Sequence, residues 1–286
     1  MLTVLRSIND SYNSYQQIID FYENNKDYFF HKISLSLTDF FSANMSAVLG
    51  AVLDLLSENI NDISFENLDY KIESILQRND FLSYYGRDKL FDTNHTTIKF
   101  QKLKPTDGKY FKTYVIEELI GRDELPNISA QAKAKILEAI YEMFVNAQIH
   151  SNTKFIYTCG QYFPTLNKIL FTIVDTGVGF KEKVNQRFNS SLSATQAIKW
   201  AVQNEKTTKV DVSGGLGLAV LKEFVGINRG CMQIVSHDGF YQYDYNGECV
   251  KEFRNAFPGT VVNLEFNTND NNNYVLESEI DVNDIL

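Results

Sequence analysis

Four segments crowded into the second half of the chain, KFIYTCGQYF, KILFTIVD, CMQIVSHDG and TVVNLEF, are rich in β-branched and aromatic residues and are separated by Gly, Pro and Asn. That composition suits pleated, half-buried strands. The segment before them has a different period. From Ser129 onward, Ile136, Ile140, Phe144 and Ala147 recur at helical spacing, and Glu138, Glu142, Asn146 and His150 form a polar stripe on the adjoining face. Ser129 stands where a helix cap is expected. A chain with both patterns is expected to be α+β, a mixed sheet covered by helices.

The first half repeats the alternation on a smaller scale. HKISLSLTDFF and NDISFEN read as strands, SANMSAVLGAVLDLLSEN and LDYKIESILQRNDFL as amphipathic helices, and TTIKFQKL as a further strand before Pro105. The expected organisation is a smaller α/β module over 1–105, a connecting helix (YFKTYVIEELI) within 106–127, and a larger α/β unit over 128–267. An Asn-rich linker and acidic tail over 268–286 follow, and its apolar residues could dock on the body or on a partner. A length of 286 residues suits two domains at about 150 residues each.

Charge and cysteine usage narrow the function classes. The net charge of -9, with no basic stripe, argues against a nucleic-acid partner. No apolar run approaches the roughly 18 residues of a membrane span, and MLTVLRSINDSYNSYQQ lacks the features of a signal peptide. Cys159, Cys231 and Cys249 are isolated, which argues against a disulfide framework or a zinc site and points to the cytoplasm.

Three polar features interrupt these apolar patterns. The stripe on the long helix reads either as a solvated face or as part of a site. KILFTIVD ends at Asp175 and turns at once through Gly177 and Gly179. A carboxylate ending an apolar strand needs hydrogen-bond donors, and the glycines permit a tight turn or close ligand approach. SGGLGLAVLKEFV then opens a helix with Gly214, Gly215, Leu216 and Gly217, an arrangement whose amides can surround phosphate oxygens. It lacks the preceding apolar strand of a dinucleotide fingerprint, and the chain has no P-loop signature, since Gly108-Lys109 is followed by Tyr110.

Taken in order, Glu and Asn on a helix, Asp-x-Gly-x-Gly, and Gly-Gly-x-Gly, this set resembles the ATP-binding domain of the GHKL superfamily. Gyrase B subunits, MutL, sensor histidine kinases and anti-sigma-factor serine kinases share that domain. The resemblance implies a Bergerat-type two-layer α/β sandwich over 128–267 that binds ATP and Mg²⁺. Asn146 matches the metal ligand, Asp175 the adenine-binding carboxylate, Gly177 and Gly179 the first glycine box, Gly215 and Gly217 the second, and Thr260, in FPGTVVNLEF, the threonine near the base. Glu142 matches the general base of gyrase-like ATPases and anti-sigma kinases, where typical histidine kinases have Asn. The stretch 181–213 would be a lid, with Lys206, Thr207, Thr208 and Lys209 in reach of a γ-phosphate, and His150 resembles the NAxxH ending of the anti-sigma kinases.

The paired His motif of a histidine kinase is missing, since His31 and His95 are followed by Lys and Thr and His237-Asp238 falls after the second glycine box. The N-terminal module looks faintly like a STAS domain, which would make Ser42 and Ser46 the phosphorylated positions. Two functions follow as expectations. One is a Mg-dependent ATPase or protein-serine kinase acting on a protein substrate. The other is a nucleotide-gated module that binds a protein partner with negligible catalysis; an oligomer is compatible with both.

Overall fold

The computed structural model describes residues 2–150, 152–203, 217–276 and 279. The chain begins β1 (Leu2–Ile8), α1 (Tyr12–Asn25), β2 (Lys32–Phe41), α2 (Ser46–Glu58), β3 (Asp62–Phe65) and α3 (Tyr70–Arg78). β1, β2 and β3 form a parallel sheet in that order, as expected when each strand is followed by a crossover helix. The next elements are β4 (Thr97–Leu103), α4 (Gly108–Val115), β5 (Asn127–Ile128), α5 (Ala130–His150), β6 (Ile156–Phe163) and β7 (Lys168–Asp175). They are followed by α6 (Phe180–Phe188), α7 (Ala194–Ala201), α8 (Gly217–Ile227), β8 (Cys231–Asp244), β9 (Gly247–Asn267) and β10 (Asn273–Tyr274). A five-stranded sheet runs β4-β6-β7-β9-β8 and is antiparallel throughout. The fold is α+β, with sheets covered by helices.

β7 is apolar on both faces because both faces are covered. Ile169, Phe171 and Ile173 join Ile140 and Phe144 of α5, Phe111 of α4, Ile198 of α7 and Leu221 of α8 in one core. On the opposite face Val174, with Cys159, Val235 and Val261 from neighbouring strands, packs against Val48, Ala51 and Val52 of α2. The N-terminal module is therefore a second cover on the large sheet. β4, inside the first 105 residues, pairs with β6, so the line at Pro105 falls after a strand that the two halves share.

A buried polar chain fixes how that cover sits. Asn44 donates to Thr172 Oγ1 and Asn263 Oδ1, both at 3.1 Å, and Thr172 donates to Asn263 Oδ1 at 2.7 Å. Asn263 donates to Gln233 at 3.2 Å, and Gln233 reaches the Asp10 carbonyl at 2.6 Å. Buried polar groups joined in this way define one register for the packed layers. Ser42 and Ser46 are buried at the same junction; Ser46 Oγ accepts from Asn79 at 3.0 Å and Ser42 bonds to Asn44. The two serines that the STAS resemblance singles out for phosphorylation are thus both buried in this fold.

Ser129 caps α5 as its sequence indicates, its hydroxyl accepting from Ala132 N–H at 3.0 Å. The chain beyond β9 returns to this point: β10 pairs with β5, Ser129 N–H donates to the Tyr274 carbonyl, and Glu279 accepts from Ser129 Oγ. The described part of the tail is thus docked on the body. No helix among the described residues is long and apolar enough to cross a membrane.

Candidate functional site

Asp175, Thr260 and Ser236 are aligned across β7, β9 and β8 by strand register. They share a face with Ile173, Val262 and Ile234, which face the α5 and α8 layer, and the row lies where β7 ends while β8 and β9 run on past it. Gly177 N–H donates to Asp175 Oδ1 at 2.9 Å, while Oδ2 takes no hydrogen bond from the described residues. Burial pushes the Asp175 carboxyl up to about 7, against smaller lowering effects from the Gly177 amide and Lys183. A carboxylate kept in such surroundings is a candidate for recognising a hydrogen-bond donor.

Backbone crowding around this row accounts for its glycines. A Cβ on Gly259, whose φ is +154°, would meet the Asp175 carbonyl oxygen at 1.9 Å. A Cβ on Gly179 would meet Ser236 Oγ at 2.2 Å. Gly179 immediately precedes α6, and the Phe180 N–H that follows it donates to Ser236 Oγ at 3.0 Å. Thr153 Oγ1 accepts from Thr176 N–H at 3.1 Å, tying the chain that leaves α5 to the turn after Asp175.

On α5, Glu138 is exposed while Glu142 and Asn146 are half-buried, so the polar stripe passes from solvent into the interior. Glu142 Oε2 accepts Gly217 N–H, the first residue of α8, at 2.8 Å. An anionic side chain there complements the positive end of the α8 dipole. A Cβ on Gly217 would lie 2.8 Å from Glu142 Oε2 and 3.0 Å from the Ala139 carbonyl oxygen, so glycine is what permits α8 to start against α5.

Of the residues singled out by sequence, Asp175 and Thr260 are neighbours, Gly177 and Gly179 form the turn beside them, and Glu142 meets Gly217. Asn146 lies one helical turn beyond Glu142. Lys206, Thr207, Thr208, Lys209, Gly214, Gly215 and Leu216 lie outside the described residues. Within the expected lid, α7 opens with a Ser193–Gln196 capping box and buries Ala197 and Ile198, so this part is built into the helical layer. Sequence reasoning missed Ser236 and Thr153, whose roles depend on strand register and on the path of the chain after α5. No group of three or more His, Cys, Asp or Glu gathers among the described residues.

Comparison with protein-family models finds no match, and comparison with curated proteins finds none either.

Proposed function

We propose that the chain is a Mg²⁺-dependent ATP-binding protein of the histidine-kinase-like superfamily, one that hydrolyses ATP or transfers its γ-phosphate to a serine of a protein substrate. The observation that carries this reading is Asp175. It is a largely buried carboxylate with one oxygen held by Gly177 N–H and the other open, set beside the Thr260 hydroxyl in a glycine-lined turn. Such an acceptor suits the exocyclic amino group of adenine. Asn146 would hold Mg²⁺ with the remaining ligands drawn from phosphate and water, and the metal would neutralise phosphate charge. Glu142 would draw the proton from water or a substrate hydroxyl.

One observation favours the nucleotide-gated alternative. Glu142 is already engaged as an acceptor for the start of α8. A nucleotide that recruits either group breaks or reshapes this contact, moving the helix start and the surface it offers a protein partner.

The test is to incubate the protein with Mg²⁺ and γ-labelled ATP and follow the label. Label in free phosphate or in a protein supports catalysis. Label that stays on bound ATP supports the gated module, and the absence of bound label at millimolar ATP overturns both readings.

A further inference from the structure

Ser236 is fully buried, and its hydroxyl sits between two groups. Phe180 N–H donates to Ser236 Oγ at 3.0 Å, and Thr260 Oγ1 lies 3.3 Å away. A serine hydroxyl has one proton, and a buried proton needs an acceptor. Either hydroxyl can donate across this contact, but Ser236 is fully buried with Thr260 Oγ1 as its one acceptor among the described residues, whereas Thr260 keeps 9 % of its surface exposed and can offer its proton outward, which favours Ser236 as the donor. With Ser236 as the donor, Thr260 accepts this bond and its own proton turns elsewhere. No described side chain takes it.

We infer that Ser236 is a positioning residue that fixes the Thr260 hydroxyl as a donor toward the ligand, and so sets base selectivity at this site. The inference rests on the proposed nucleotide reading. Asp175, the cross-strand neighbour of Thr260, presents an acceptor. The pair therefore offers an acceptor beside a donor. Adenine carries the complement, an amino donor next to a ring-nitrogen acceptor, whereas the same edge of guanine sets a carbonyl acceptor next to an N–H donor. Guanine would oppose acceptor to acceptor and donor to donor, and mismatched groups in a desolvated site discriminate strongly. Without the Ser236 proton, the Thr260 hydroxyl is free to rotate and accept.

The experiment compares dissociation constants for ATP and GTP, each with Mg²⁺, in the wild type, Ser236→Ala, Thr260→Val and the double variant. The expected result is a wild-type preference for ATP that drops about tenfold in Ser236→Ala, drops equally in Thr260→Val, and drops no further in the double variant, because both changes remove one coupled device. Should Ser236→Ala fail to fold, Ser236→Cys, with its weak S–H donor, is read by the same ratio. A preference that survives at the Ser236 variant but is lost at Thr260→Val overturns the inference alone. A wild type that binds neither nucleotide sinks the proposed function, and this inference with it.

Discussion

Glu142 on α5 and Gly217 at the start of α8 are joined by a 2.8 Å hydrogen bond from the Gly217 amide to Glu142 Oε2. One carboxylate therefore bears on two matters, the stability of a helix end and the chemistry proposed for the phosphates. Glu142→Gln retains a carbonyl acceptor for the amide and removes the base. If the chain turns over ATP, phosphate release falls by about 10²-fold or more while ATP affinity changes little. Glu142→Ala also removes the cap, and its unfolding free energy should drop by about 1 kcal/mol. Equal turnover in wild type and Glu142→Gln would remove Glu142 from the reaction.

Asp175 gives a pH signature with a definite sign. The folded chain holds the proton to about 7, against an ordinary value of 3.8. Between these values the native state binds more protons than the unfolded one, so the stabilisation is complete below 3.8 and is lost as pH rises through 7. At most it amounts to about 4 kcal/mol. Urea midpoints measured from pH 4.5 to 8 should fall more steeply in the wild type than in Asp175→Asn, and parallel curves would count against the shift.

Glycine is required at Gly259 and Gly179 by neighbouring atoms, so alanine there should cost more than helix or strand propensity. Gly259→Ala drives a methyl into the Asp175 carbonyl at a φ of +154° and should lose about 3 kcal/mol. Gly179→Ala presses on the smaller, rotatable Ser236 hydroxyl, and about 1–2 kcal/mol is expected. Thermal melts rank the two, and the reverse order would show that the strand can yield where the turn cannot.

Asn44 ties the N-terminal cover to the large sheet. Asn44→Ala strips partners from Thr172 and Asn263 in a buried layer, and a loss of about 2–4 kcal/mol is expected in denaturant unfolding. A loss under about 0.5 kcal/mol would mean that the polar chain rearranges and contributes nothing to docking.

Local pattern made much of the architecture legible. The period of α5 and its Ser129 cap, the strands β2, β4, β6 and β7, and the Asp175 turn all follow from residues close in sequence. Long-range pairing was not legible in the same way. β4 reads as the end of a separate module, since nothing within TTIKFQKL specifies β6 as its partner. β1 and α1 were overlooked in MLTVLRSINDSYNSYQQ, where a short edge strand and a polar-rich helix have weak periodicity. Ser42 and Ser46 read from sequence as a helix start, and their burial depends on contacts between distant segments that the local pattern does not show. At the candidate site, Asp175 stands out by its place at the end of an apolar strand and Thr260 by the resemblance alone, and their adjacency, like the Ser236 contact, depends on strand register.

The most direct test of the central claim is calorimetric titration of ATP with Mg²⁺ into the wild type and Asp175→Asn. The account predicts saturable binding in the wild type, with a micromolar affinity corresponding to about -8 kcal/mol. At pH 8, where Asp175 is mostly ionised, it also predicts at least a tenfold loss in the variant, since an amide presents both donor and acceptor where the base needs an acceptor alone. Saturable binding that Asp175→Asn leaves unchanged, or no binding at millimolar ATP, would contradict it.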